Sequence, residues 1–150
     1  AAAGDAAVVR CRSAAHAAGS ACSVAGLPIL LLLTAADDGL LRLWDLSKAR
    51  QSSRKPQMLF SDGNVHRKGI FGLDFCAQGG VLTGSKDKTV AVSRLREGAG
   101  GGLTVVRRLD EMHSGVVKAV AWQGRQGQLL ASGAQDRSVC VKVSQEVIYK

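Results

Sequence analysis

Three aspartates, Asp38, Asp87 and Asp136, recur at intervals of 49 residues in a chain of 150. Each follows a hydroxyl residue by four positions: Thr34, Thr83 and Ser132. Each also lies 21 to 23 residues after a histidine, and His16, His66 and His113 are the only histidines present. Such a period marks a tandem array of one supersecondary unit. A unit this short cannot bury its apolar surface alone and must stack on its copies.

The unit reads as β-structure. Gly69 to Phe75 and Val116 to Trp122 follow the second and third histidines with the apolar alternation of packed strands. Gly79-Gly80 and the stretch from Gln123 to Gln128 break the pattern as turns do. Second strands are expected over 81–84 and 129–133, and tight turns around Asp87-Lys88 and Asp136-Arg137. Third strands follow over 90–92 and 139–141, and fourth strands over 58–60 and 103–108. No stretch has a helical period. Four-stranded units repeated radially give a β-propeller, here with approximate repeats 13–60, 61–109 and 110–150 in a single domain spanning 1–150.

Composition excludes several other classes. The longest apolar run, Leu27 to Ala36, covers ten residues, against roughly 20 for a membrane-spanning helix, so no membrane insertion is expected. The Ala- and Ser-rich residues 1–25 resemble a targeting segment but also fit the first repeat. Lys and Arg exceed Asp and Glu by 20 to 12, a net charge of +8, which favours acidic partners. Cys11, Cys22, Cys76 and Cys140 form no C-x-x-C pair, so zinc-ribbon and thioredoxin-type sites are excluded. Free thiols suit a reducing compartment, and the expected location is cytoplasmic, nuclear or both.

The segment Leu31-Leu-Leu-Thr-Ala-Ala-Asp-Asp-Gly-Leu-Leu-Arg-Leu-Trp44-Asp45, with its two degenerate copies, resembles the WD40-repeat family. The resemblance covers roughly residues 6–150. It implies an all-β, WD40-type propeller made of three four-stranded antiparallel blades, a partial ring. It also implies a structural tetrad, His16, Thr34, Asp38 and Trp44, in the first blade. The second blade keeps His66, Thr83 and Asp87 but has Ser93 for Trp; the third keeps His113, Ser132 and Asp136 but has Lys142. These two networks are expected to be shorter. By the same resemblance, residues 6–12 are a strand that closes a ring, and residues 147–150 begin another fourth strand. The chain then reads as part of a longer propeller, with the remaining blades supplied by further C-terminal sequence or by a partner.

A repeated Ser/Thr, His and Asp set invites a catalytic reading. Catalysis needs one triad, however, and the G-x-S-x-G elbow is missing. Gly79 to Lys86 has the order Ser85-Lys86, which does not fit a phosphate-binding loop. No enzyme activity, metal site or cofactor is expected.

The expected role is a protein-interaction scaffold or adaptor within a multiprotein complex. In the family, the loops before the first strand and between the second and third share a face where proteins dock. The resemblance puts Asp37, Lys86, Gln135, Phe71, Lys118, Arg67 and Lys68 there, a mostly cationic patch around one aromatic. An acidic protein face or peptide is the partner this fits. The basic run from Lys48 to Lys55 is a second candidate for anionic partners.

Two alternatives stay open. One is association with RNA or ribonucleoprotein, though aromatic residues for base stacking are few. The other is the substrate receptor of a ubiquitin ligase. That subgroup carries W-D-x-R, and here the basic residue is displaced by one, in Trp44-Asp45-Leu46-Ser47-Lys48.

Overall fold

A computed structural model describes residues 8–11, 31–46, 55–75, 80–95, 102–123 and 129–143. These residues form eleven strands and no helix. The strands are β1 (Val8–Cys11), β2 (Leu31–Ala35), β3 (Leu41–Asp45), β4 (Gln57–Asp62), β5 (Ile70–Phe75), β6 (Gly80–Ser85), β7 (Val90–Leu95), β8 (Leu103–Leu109), β9 (Val117–Gln123), β10 (Leu129–Ala134) and β11 (Val139–Val143). They make three antiparallel sheets in chain order: β1-β2-β3-β4, β5-β6-β7-β8 and β9-β10-β11. The all-β expectation and the antiparallel blades therefore hold. The fourth strand expected at 147–150 lies outside the described residues, as do His16, Cys22, Cys76 and all but Lys55 of the basic run.

One expectation needs correction. Residues 6–12 were expected to close a ring as a fourth strand. Instead Val8–Cys11 pairs with β2, Val8 opposite Ala35 and Cys11 opposite Leu32. The place beside β3 belongs to β4. Hydrogen bonding to β2 on its free side makes β1 the first strand of the first sheet.

Alternation along the strands explains the stacking. In β6, Val81 points into a core shared with Leu33, Ala35, Leu41 and Leu43 of the first sheet. The next residue, Leu82, points into a second core with Val117, Val120 and Leu130 of the third. In β7, Ala91 joins the first core, while Val90 and Val92 join the second. A strand buried on both faces loses the polar half of its alternation, and every residue of β6 is buried.

Close approach between the second and third sheets depends on Gly84. A β-carbon there would meet the side chains of Val117 and Val120 at 2.5 and 2.9 Å. At the equivalent Gly133 it would meet nothing within 4 Å. Likewise Val90 and Val92 are 0% and 1% exposed, whereas their counterparts Val139 and Val141 are 76% and 62% exposed. The outer face of the third sheet is thus apolar and uncovered among the described residues.

Two polar ties cross between or brace the sheets. The buried Asp74 on β5 accepts from the backbone N–H of Trp122 on β9 at 2.7 Å through Oδ2, and from Phe75 N–H at 2.9 Å through Oδ1. Arg108 on β8 donates through Nη2 to the carbonyl of Val65 at 2.6 Å, fixing the loop that enters β5.

Candidate functional site

The polar network of the second sheet is built from a loop, a strand and a turn. His66 precedes β5, Thr83 sits in β6, and Asp87 occupies the β6–β7 turn. His66 Nε2 lies 2.8 Å from Thr83 Oγ1, and Nδ1 lies 3.1 Å from Asp87 Oδ2 and 3.0 Å from Thr89 Oγ1. Asp87 Oδ2 also accepts from Arg67 N–H at 3.0 Å, while Oδ1 accepts from the N–H and hydroxyl of Thr89 at 3.0 and 2.7 Å. The carboxylate thereby locks the entry loop to the turn. It satisfies donors that burial would otherwise strand.

The third sheet repeats this. His113 Nε2 lies 2.7 Å from Ser132 Oγ, and Nδ1 lies 3.3 Å from Asp136 Oδ2 and 2.8 Å from Ser138 Oγ. Asp136 accepts from Ser114 N–H at 2.8 Å and from Ser138 N–H and hydroxyl at 2.9 and 2.6 Å. Thr89 and Ser138 were not singled out from sequence. The signal was there as a hydroxyl two residues after the aspartate in both copies, against Leu40 in the first.

In the first sheet the described members are wired differently. Asp38 is exposed, pairs with Arg42 Nη2 at 2.6 Å and caps Leu40 N–H at 3.0 Å. Trp44 Nε1 donates to Thr34 Oγ1 at 3.0 Å, as a tetrad requires. The expected shortening of the other two networks is found only at this end. Ser93, in the Trp place, is buried with its hydroxyl unpartnered among the described residues, and Lys142 is exposed. At the opposite end Thr89 and Ser138 extend them.

The electrostatics follow from these contacts. Burial favours the protonated form of Asp87, but hydrogen bonds from Thr89 and Arg67 and the neighbouring imidazole outweigh it, lowering its pKa to about 2. Asp136 is held well below the usual carboxylate range, chiefly by the Ser138 hydroxyl. Burial pushes the His66 imidazole down, against the pull of Asp87. Arg42 lowers the Asp38 carboxyl.

Thr83, His66 and Asp87 have the connectivity of a nucleophile, base and carboxylate. The arrangement cannot act on a substrate, because Thr83 is wholly buried and its hydroxyl faces the Ala91 carbonyl at 3.4 Å. Ser132 is buried in the same way. Among the described residues no group of three or more His, Cys, Asp or Glu could hold a metal ion.

The same turns shape a surface. Asp37, Lys86 and Gln135 are exposed, each just before the turn aspartate. Lys86 N–H donates to the Gly69 carbonyl at 2.8 Å, Ser85 Oγ donates to the same carbonyl at 2.8 Å, and Ile70 N–H donates across to Ala36 at 3.0 Å. Asp37 lies so close that a β-carbon on Gly69 would clash with its carboxylate and backbone. Asp37, Arg67, Lys68 and Lys86 are therefore gathered around Gly69. Two residues further along β5, the Phe71 ring lies under the ammonium of Lys118 from β9, 3.9 Å from the centroid. Gln135 is bonded to Val116 of its own sheet at 2.9 Å and is not brought to this group by any such tie.

Residues 57–92 match the family model of the WD domain, G-beta repeat. This span is a WD40 repeat. The matched span runs from β4 through β7, so this WD40 repeat joins the outer strand of one sheet to the three inner strands of the next. That linkage places His66, Thr83 and Asp87 within one repeat. Among curated proteins no match to the chain is found. A WD40 repeat suggests a role in protein interaction, and scaffolding is the kind of role it supports.

Proposed function

We propose that the chain is a non-enzymatic scaffold or adaptor that holds other proteins, within a multiprotein complex, at the end of the sheets where the β2–β3 and β6–β7 turns meet the entry to β5. The observation that carries this reading is how the turn charges are used. Asp87 is consumed by His66, Thr89 and Arg67 N–H, so the exposed side chains around Phe71 are left predominantly cationic: Arg67, Lys68, Lys86 and Lys118. Such a patch steers acidic partners, and a half-buried aromatic at its centre is a suitable anchor. The free thiol of Cys140 supports a cytoplasmic or nuclear setting. The uncovered valine face of the third sheet supports a further blade packing there.

The test is affinity capture with the Phe71→Ala, Lys86→Glu double variant, monitored alongside circular dichroism. Loss of partners with an unchanged spectrum supports the reading. Capture of every partner undiminished removes it. Salt-sensitive retention of RNA in place of proteins favours the nucleic-acid alternative.

A further inference from the structure

The second sheet shows which residues of the third lie on its outer face. Gly72, Gly84, Val90 and Val92 face the third sheet. Their register equivalents, Ala119, Gly133, Val139 and Val141, face away from the second.

Charge interrupts this face in the first two sheets. Asp74 accepts the Trp122 N–H across the seam at 2.7 Å. Arg94 follows Val92 on the same side of β7. Asp45 holds the place of Arg94 in the first sheet. In the third sheet these places belong to Ala121 and Val143. Ala121 has no side-chain oxygen with which to repeat the Asp74 tie. The outer face of the third sheet is therefore free of charge among the described residues, and it is not a copy of the seam behind it.

The face also has relief. Val139, Val141 and Val143 form a ridge along β11, 76%, 62% and 62% exposed. Beside them on β10, Ala131 and Gly133 leave a trough that Leu129 closes at one end. A β-carbon on Gly133 would meet nothing within 4 Å.

We infer that the third sheet packs on the third sheet of a second copy of this chain, each valine ridge lying in the opposite trough across a two-fold axis. One patch then serves both partners, as an isologous contact requires. Acidic partners and nucleic acid find no complementary charge there. The same face on a second copy supplies equal apolarity and inverse relief. The inference assigns the blade that covers the valine face, and it is independent of the patch around Phe71.

The size of the face sets the strength. Three strands about 4.8 Å apart and five residues of about 3.4 Å give a face of roughly 14 by 17 Å. Two such faces bury well under the roughly 1,600 Å² of a standard interface, so the dimer is weak, with a dissociation constant on the order of tens of micromolar.

The experiment is sedimentation velocity on the 150-residue chain under reducing conditions, from about 1 to 200 μM to bracket that constant. The expected result is a shift from monomer to dimer that 1 M salt does not weaken. Val141→Glu should leave a monomer throughout. Gly133→Val should do the same, because its side chain has open space in the single copy and fills the trough. Circular dichroism should show both variants folded.

A monomer at every concentration overturns the inference. So does growth beyond a dimer, the mark of head-to-tail contacts, or a dimer that survives both variants. Each of these leaves the scaffold reading standing, since its own test is capture through Phe71 and Lys86.

Discussion

Lys118 of β9 and Phe71 of β5 occupy equivalent positions in neighbouring sheets, and the ammonium of one rests 3.9 Å from the ring centre of the other. The repeat thus supplies both halves of a contact across its own seam. An exposed cation–π pair is worth about 0.5 to 1 kcal/mol. A double-mutant cycle with Phe71→Leu and Lys118→Met, read by urea unfolding, should give a coupling energy of that order. A coupling indistinguishable from zero would show that the pair is a chance juxtaposition.

Asp87 and Asp38 stand one repeat apart yet should differ sharply in worth. Asp87 receives hydrogen bonds from two backbone N–H groups and a hydroxyl, with His66 alongside. Its removal takes a partner from the buried His66 ring and from the half-buried N–H and hydroxyl of Thr89, so Asp87→Ala should cost about 2 to 4 kcal/mol. Asp38 is an exposed partner of Arg42, and Asp38→Ala should cost about 1 kcal/mol or less. Equal losses in chemical denaturation would contradict the assignment of the lock to the second sheet.

Acid should weaken the fold in two stages. His66 is pushed below its ordinary 6.5, so the unfolded chain takes up that proton first. Stability should therefore decline as pH falls below about 6.5. Asp87 is lowered from 3.8 to about 2. Its contribution is complete above about 4 and is lost as pH falls from there through about 2. His66→Gln should flatten the upper stage and leave the lower one. Urea midpoints measured from pH 7 to 2 separate the two.

The turn tips share one backbone conformation but not one residue. Gly39, Lys88 and Arg137 have φ of +77°, +74° and +67°, each directly after the turn aspartate. Only glycine adopts this region without steric cost. Lys88→Gly and Arg137→Gly should each stabilise by about 0.5 to 1 kcal/mol, after allowing for the greater freedom of glycine in the unfolded chain. Gly39→Ala should destabilise, since its β-carbon would also press on the Lys68 carbonyl at 3.2 Å. Thermal midpoints of the three variants check this.

The strands of the second and third sheets were legible because the apolar alternation is local and the aspartate spacing sets the register. β1 was misplaced because Val8-Val-Arg-Cys11 is only a short strand-like string. Which neighbour it pairs with is decided by hydrogen bonding to β2, and a string of four residues does not encode that. Thr89 and Ser138 were overlooked because the WD40 resemblance directs attention to four positions, and these are outside them. The tie from Asp74 to Trp122 has no local signature at all. Its partner is a backbone N–H in another sheet, 48 residues away.

The central claim divides labour at one end of the sheets: the inward His–Asp networks hold the fold, and the outward side chains around Phe71 recognise the partner. Partner capture per folded molecule, compared between Asp87→Ala and the Phe71→Ala, Lys86→Glu variant, tests this most directly. The predicted result is capture retained by the folded fraction of the first and lost by a fully folded second. The reverse pattern would contradict the account.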